Sequence, residues 1–244
     1  MNSVKKSHQQ NVDNIEKLTI QVATFDPVFN PSEARLTIKN QQLIKSKGDE
    51  VLSSLHSTQS LYDHAISART LAFAGFDGLV TRILNAARIS DIPEQTIGQI
   101  KSIVRDLRNK RAVPIEAPAL PVEGTEMAEP VKHHKLHSGS FSAKIENFGI
   151  LVMLLSTIPA YKPNETDLTI ETLKAKLEAL KLINTNCIQK DAEVSVARLQ
   201  RDKLLYATKS GLVDIGADIK LYVKSAYGAT SHQFKSVRGI AFTK

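Results

Sequence analysis

The sequence predicts an all-α protein built as two tandem antiparallel up-and-down helical bundles from an internal duplication, each with one long helix. Three observations lead to this prediction. A twelve-residue motif occurs twice, apolar residues recur every three or four positions along most of the chain, and glycine and proline are few, with 11 and 9 among 244 residues. A β-sandwich or barrel would need more turn residues and a two-residue apolar alternation.

Two collinear sequence matches indicate the duplication. The pattern P-x-[FY]-x-P-x-E-x-x-L-T-I covers residues 27–38 and again residues 159–170, a shift of 132 positions. A second match pairs residues 71–80 with residues 204–213 at a shift of 133 positions. Self-similarity at a nearly constant spacing is typical of a repeated supersecondary unit.

The repeats and the composition between them predict the domain organisation. We expect a disordered polar N-terminus at residues 1–12, a first helical repeat at 13–109, a flexible Pro-rich linker at 110–141 and a second helical repeat at 142–244. The linker holds four of the nine prolines and has no apolar periodicity, which is typical of an extended connection.

In the first repeat, apolar residues spaced three or four apart predict a helix over 13–25. Asn30 is the expected cap of a second helix that ends near Gly48. A long third helix is expected over 49–89, with Gly75 and Gly78 as positions where it can kink or split, because glycine weakens a helix interior by ~1 kcal/mol. The last helix is expected to open at the capping pattern Asp91-Ile-Pro-Glu94 and to end near Arg108.

The second repeat follows the same plan. Helices are expected over 142–157 and 165–182, then a turn at 184–186, then a long helix over 188–226. A final short helix is expected after the capping pattern at residues 230–233.

Composition and motifs exclude several classes of function. The sequence contains no phosphate-binding, dinucleotide-binding, zinc-protease or serine-hydrolase motif, so we expect no cofactor and no enzymatic activity. No apolar run approaches the ~20 residues that cross a bilayer as a helix, so we expect no membrane partner. The single cysteine, Cys187, excludes a disulfide within one chain, and we predict a cytoplasmic location.

Two further pairs of residues suggest a metal site and an anion-binding site, and each pair also has a simpler explanation. His133 and His137 are four residues apart, a spacing that suits a metal ion on a helix, but the surrounding proline and glycine disfavour a helix there. Arg69 and Arg201 lie beside the apolar stripes of the long helices, where each is expected to pair with an acid or, alternatively, to bind an anionic ligand. We therefore predict neither a metal site nor catalytic residues.

The net charge of +7 is concentrated in the last quarter of the chain, where residues 181–244 carry 11 Lys and Arg against 5 Asp and Glu. Positive side chains attract phosphate, and aromatic rings can stack on unpaired bases. The candidate contacts for nucleic acid or another anion are Lys220, Lys224, Tyr227, Phe234, Lys235 and Arg238. The alternative interpretation of the same residues is an ordinary solvated helix face.

The leading functional hypothesis is therefore a non-enzymatic helical scaffold that binds a protein partner or associates with itself. The alternative is a module that binds nucleic acid or another polyanion through its basic C-terminal region.

Overall fold

The computed structural model describes residues 3–26, 28–108 and 140–243, with the backbone alone described for residues 3–7. Every regular element in these ranges is helical, which confirms the predicted all-α class. The α-helices there are α1 (Ser3–Ala23), α2 (Ile38–Ala72), α3 (Phe76–Ile89), α4 (Glu94–Leu107), α5 (Phe141–Ser156), α6 (Ile170–Tyr206), α7 (Leu212–Tyr227) and α8 (His232–Val237). Short 3₁₀ turns at Ala34–Leu36 and Thr166–Leu168 precede α2 and α6.

The repeated motif forms the same local structure at both positions. Leu36 and Leu168 are buried in the 3₁₀ turns. The hydroxyl groups of Thr37 and Thr169 then accept hydrogen bonds from backbone N–H groups three residues further on, at 3.4 and 3.3 Å. Threonine is a favoured N-cap because its oxygen satisfies one of the unpaired N–H groups of the first turn. The helix after each motif thus begins at the isoleucine, so the predicted cap at Asn30 is wrong.

The long helices continue through two places where turns were predicted. Gly48 lies inside α2, and residues 184–186 lie inside α6. Gly48 is buried against α1, where an added Cβ would lie 2.9 Å from a methyl group of Val12. Asn184 is buried as well, and its side chain accepts a hydrogen bond from Arg69 and donates one to Ser142. Tertiary contacts therefore stabilise two residues that local propensity disfavours in a helix.

The described residues divide into two compact units. Unit 1 contains those up to His64 and those from Ile188 onward, and unit 2 contains those from Ala65 to Cys187. Each unit therefore combines residues from both predicted repeats, which differs from a division at residues 109 and 142. The helix α1 begins at Ser3, inside the stretch predicted to be disordered. The predicted linker lies outside the described residues, apart from the start of α5.

Each unit has its own apolar core. In unit 1 the core is formed by α1, α7 and the buried sides of α2, α6 and α8, with Ile15, Leu18, Leu205 and Leu212 fully enclosed. In unit 2 it is formed by α3, α4, α5 and the first part of α6, around Phe148. Among the described residues, no helix is both long enough and apolar enough to cross a membrane.

Candidate functional site

The six residues predicted to contact an anion all lie in unit 1. Lys220, Lys224 and Tyr227 are on α7, Phe234 and Lys235 are on α8, and Arg238 directly follows α8. Lys220 is already occupied by an internal partner, since its Nζ donates a hydrogen bond of 2.8 Å to the carbonyl of Ile240. The same ammonium lies 5.5 Å from the ring centroid of Phe242. Burial lowers the pKa of Lys220 below its ordinary value. This lysine therefore holds part of its own chain in the structure.

The two predicted aromatic contacts pack against the core of unit 1. Tyr227 meets Phe25 edge to face at 5.4 Å between ring centroids, and burial raises the pKa of its hydroxyl. Phe234 packs on the same core, with the ammonium of Lys224 5.9 Å from its ring centroid. Half-buried rings in such contacts present little free face for stacking on a base. The exposed members of the predicted set are Lys224, Lys235 and Arg238.

Residues 239–243 follow α8, have no regular helix or strand structure, and lie against α1 and α7. Asn11 donates a hydrogen bond of 2.7 Å to the carbonyl of Thr243 and accepts one of 3.0 Å from its N–H. Asn14 donates a hydrogen bond of 2.6 Å to the carbonyl of Ala241. Both asparagine residues lie on the buried side of α1, which is apolar apart from them, His8 and Thr19. Their only visible signal in the sequence is a pair of amides that interrupts the apolar stripe of α1.

The side chain of Phe242 packs against α7 at Gly216. A Cβ added to Gly216 would lie 2.5 Å from Cζ of that ring, so the far end of the ring occupies the space that a side chain at position 216 would need. The sequence did not predict a site at Asn11 and Asn14, because their contacts connect residues more than 200 positions apart, and no motif marks the contact of Gly216 with Phe242. We refer to the surface formed by Asn11, Asn14, Gly216 and Lys220 as the α1–α7 groove.

A second feature of unit 1 is the strained turn between α6 and α7, which interrupts the long helix predicted over 188–226. Lys209 has a φ of 65°, in the left-handed region that disfavours side chains other than glycine. Its N–H donates to the carboxylate of Asp214 at 2.9 Å, and its carbonyl accepts from Arg35 at 3.2 Å. The guanidinium of Arg35 is itself held by Asp218 at 2.6 Å. Three charged groups therefore stabilise this backbone conformation.

Two grooves of unit 1 are open to solvent. One, of about 440 Å³, lies beside the strained turn and is lined by Arg35, Lys47 and Lys209 over an apolar floor that includes Leu204 and Ile215. The other, also about 440 Å³, lies between α2 and α6 and is lined mainly by neutral side chains, among them Ser54, Thr58, Gln189, Ala192, Val196 and Gln200. The single charged residue that lines the second groove, Glu193, is paired with Lys190 at 2.8 Å.

An exposed apolar stripe borders this neutral groove on α6. It consists of Ile188, Ala192, Val196 and Leu199, which are three or four residues apart and therefore lie along one side of the helix. The exposed fractions of the side chains of Ile188, Val196 and Leu199 are 56%, 54% and 70%. We refer to these four residues as the α6 stripe.

Unit 2 contains an ion pair and a groove that correspond to those of unit 1. Arg82 on α3 makes a bidentate ion pair with Asp167, in which Nη2 lies 3.0 Å from Oδ1. Arg82 and Glu165 line an open groove of about 470 Å³. Arg69 has its guanidinium carbon 4.4 Å above the ring of Phe141 and donates to Asn184.

The other residues considered in the sequence are the histidine pair, Cys187 and Arg201. Within the described ranges no group of three or more His, Cys, Asp or Glu side chains could hold a metal ion. His133 and His137 lie outside the described residues. Cys187 is buried, and Arg201 binds its neighbour Asp202 at 2.7 Å.

Comparison with known proteins gives no relative from which a role could be transferred. No family model, no curated protein and no solved structure matches this chain.

Proposed function

We propose that the protein is a non-enzymatic helical scaffold that binds an amphipathic helix of another protein along the α6 stripe. The observation that carries this proposal is the row of exposed apolar side chains at Ile188, Val196 and Leu199, next to an open groove between α2 and α6. A partner helix with apolar residues at the same three-to-four spacing would remove these side chains from water, which is favourable by roughly 25 cal/mol per Å² of apolar surface.

The polar groups of the groove suit an uncharged contact. Ser54, Gln189 and Gln200 can donate or accept hydrogen bonds at its rim, and Glu193 is neutralised by Lys190. A partner helix that meets this surface would bury no unpaired charge, which is the costliest term at an interface. We therefore expect a partner helix with an apolar face and small neutral polar residues at its margins.

We also propose that the chain arose by internal duplication and retains two equivalent bundles. Two features support this beyond the shared motif. The breaks after the long helices each contain a left-handed residue, Gly75 with φ 71° and Lys209 with φ 65°. The 3₁₀ turn of one copy carries Arg35, which pairs with Asp218, while the other carries Asp167 at the corresponding position, which pairs with Arg82.

A photocrosslinking experiment tests the binding proposal. The full-length chain with p-benzoylphenylalanine at Val196 should crosslink to a protein in the organism that encodes it. The same substitution at Leu221, an equally exposed apolar residue on α7, serves as the matched control and should give no such product. Once the captured protein is identified and purified, Val196→Glu/Leu199→Glu should weaken its binding at least tenfold and Leu221→Glu should not.

Three results would contradict the proposal. The first is an identical set of products from positions 196 and 221. The second is unchanged affinity in the Val196→Glu/Leu199→Glu variant. The third is a product that contains only two copies of this chain, which would instead establish self-association through the α6 stripe.

The second candidate function, polyanion binding, rests on the three exposed cations Lys224, Lys235 and Arg238. Binding through them would weaken steeply as salt is raised, because each phosphate contact releases a counterion. Mobility shift with single-stranded and duplex nucleic acid should then be lost when all three are replaced by alanine. The matched control replaces three other exposed lysines, Lys39, Lys174 and Lys203. Equal binding by both triple variants would refute a specific role for the predicted residues.

A further inference from the structure

We propose that the α1–α7 groove is a binding site for an extended peptide that carries an aromatic side chain, and that residues 239–243 occupy it as an internal competitor. The proposal concerns a surface different from the α6 stripe and does not depend on the function proposed above. It follows from the contacts of residues 239–243, whose backbone groups are hydrogen-bonded by side chains of α1 and α7, unlike the apolar packing of one helix on another.

The groove recognises backbone groups. The amide of Asn11 donates to the carbonyl of Thr243 and accepts from its N–H, and the amide of Asn14 donates to the carbonyl of Ala241. A side-chain amide that pairs with both backbone groups of one residue reproduces the hydrogen bonding of a neighbouring β-strand. Every peptide carries the same groups, so these contacts do not depend on the sequence of the ligand.

The asparagine residues require an occupant. Asn11 is 1% exposed and Asn14 is 8% exposed, on a helix whose neighbouring inward residues are Val12, Ile15 and Leu18. A buried amide that loses its hydrogen-bond partners carries an uncompensated desolvation cost. Two such amides therefore serve a specific backbone partner.

Lys220 adds a charged donor to the same row. Its ammonium donates to the carbonyl of Ile240 at 2.8 Å, the residue before those bound by the asparagine amides. A hydrogen bond from a charged donor is about twice as strong as a neutral one. Together the three side chains contact the backbone of Ile240, Ala241 and Thr243 on one side of the segment.

One position of the segment is read by its side chain. The far end of the Phe242 ring lies against α7 at Gly216, where an added Cβ would come within 2.5 to 2.8 Å of Cζ and the two Cε carbons. The ring also receives the ammonium of Lys220 at 5.5 Å from its centroid, a cation–π distance. The groove therefore selects an aromatic residue at this position.

Because the segment belongs to the same chain, it competes at a high effective concentration. Tethered ligands reach effective concentrations in the millimolar range, so a separate peptide would bind wild-type protein only weakly. Weakening the internal segment without damaging the groove should therefore expose a site of higher apparent affinity.

Two substitutions separate release of the segment from loss of the groove. Phe242→Ala removes the aromatic anchor from the segment and leaves the groove intact. Gly216→Ala also displaces the segment, but it fills the place where any aromatic ring would rest. The probe is a fluorescein-labelled peptide with the sequence of residues 236–243, added to the full-length chain and followed by fluorescence anisotropy. Hydrogen exchange at the amide of Thr243 reports whether the segment has left the groove.

We expect both variants to exchange that amide faster than wild type. The Phe242→Ala protein should bind the labelled peptide at least tenfold more tightly than wild type, and the Gly216→Ala protein should not bind it. A peptide in which the phenylalanine is replaced by alanine should bind neither. As a second way to block the groove, Asn11→Leu/Asn14→Leu combined with Phe242→Ala should abolish binding while circular dichroism shows the helices intact.

Several outcomes would overturn the proposal. Equal peptide affinity of the Phe242→Ala and Gly216→Ala proteins would show that the peptide binds elsewhere. Faster exchange at Thr243 in the Phe242→Ala protein without a gain in peptide affinity would show that the segment is only structural. Unchanged exchange in that variant would show that the aromatic side chain is not what holds the segment.

Discussion

Replacement of Gly48 by alanine gives a sharp test of how α1 packs on α2. In an open helix interior this change stabilises a protein by ~1 kcal/mol, because glycine has the greater conformational entropy in the unfolded chain. At Gly48 the new Cβ would lie 2.9 and 3.1 Å from the two methyl carbons of Val12. Valine in a helix strongly prefers one χ1 rotamer, and Val12 is fully buried, so its methyl groups cannot turn away.

The magnitude follows from these two opposing effects. Insertion of a methyl group into a packed core costs typically ~1–3 kcal/mol. Because the higher helix propensity of alanine offsets ~1 kcal/mol of this cost, Gly48→Ala should lower the stability of unit 1 by a net ~1 kcal/mol. In a Val12→Ala background the valine methyl groups are absent, and the same substitution should instead raise stability by ~1 kcal/mol. The expected coupling between positions 12 and 48 is therefore ~2 kcal/mol.

Hydrogen exchange of α1 amides at increasing urea measures the stability of unit 1 without requiring the whole chain to unfold in one step. Gly98→Ala in α4 is the matched control for helix propensity, because nothing lies within 4 Å of its added Cβ. Gly98→Ala should stabilise unit 2 by ~1 kcal/mol both in the wild-type chain and in the Val12→Ala chain. The reasoning would be refuted by a Gly48→Ala effect that is the same in the wild-type chain and in the Val12→Ala background.

Three further predictions concern the charged and strained groups of unit 1. Lys209→Gly should raise the stability of unit 1 by ~0.5–1 kcal/mol in urea denaturation, because only glycine relieves the strain of the left-handed backbone. Lys209→Ala should leave the stability unchanged. Equal effects of the two substitutions would contradict strain at this turn. Arg35→Asp should lower the stability of unit 1 by ~1 kcal/mol in the same assay, and adding Asp218→Arg should restore part of that stability. Additive losses in the double variant would exclude a direct interaction between the two side chains. Burial, and then the charge of Arg201, lower the pKa of His8 below its ordinary value of 6.5. The folded state therefore favours neutral His8, so stability should fall as the pH drops through 6.5, and this dependence should vanish in His8→Phe when unfolding is measured from about pH 8 to about pH 5.

The choice of cap residues illustrates how far local sequence rules extend. The capping pattern at residues 230–233 predicts a helix start, and α8 does begin there. The cap is Ser231 and not Thr230, because the hydroxyl of Ser231 accepts a hydrogen bond of 3.0 Å from the N–H of Phe234. At Asn30 a similar pattern is misleading, because the chain first makes a 3₁₀ turn that buries Leu36. The hydrogen bond of a helix cap forms between residues close in sequence. Which of two nearby cap candidates is used, however, depends on which apolar residue becomes buried in the core.

The basic residues show the same limit for the candidate site. Lys220 and Lys224 are both part of an excess of positive charge that the sequence displays directly. Only the tertiary structure brings the carbonyl of Ile240 to Lys220 and leaves Lys224 exposed. Asn11 and Asn14 have no charge or motif that distinguishes them, and their role depends on a segment more than 220 residues away.

The sequence by itself determined the helical class and most helix positions, since apolar periodicity and capping act over only a few residues. Tertiary structure decided that α2 continues through Gly48, that each compact unit combines residues from distant parts of the chain, and that residues 239–243 lie on α1 and α7. The physical reason is that these outcomes depend on steric fit and on buried hydrogen-bond partners, which exist only after remote segments have come together.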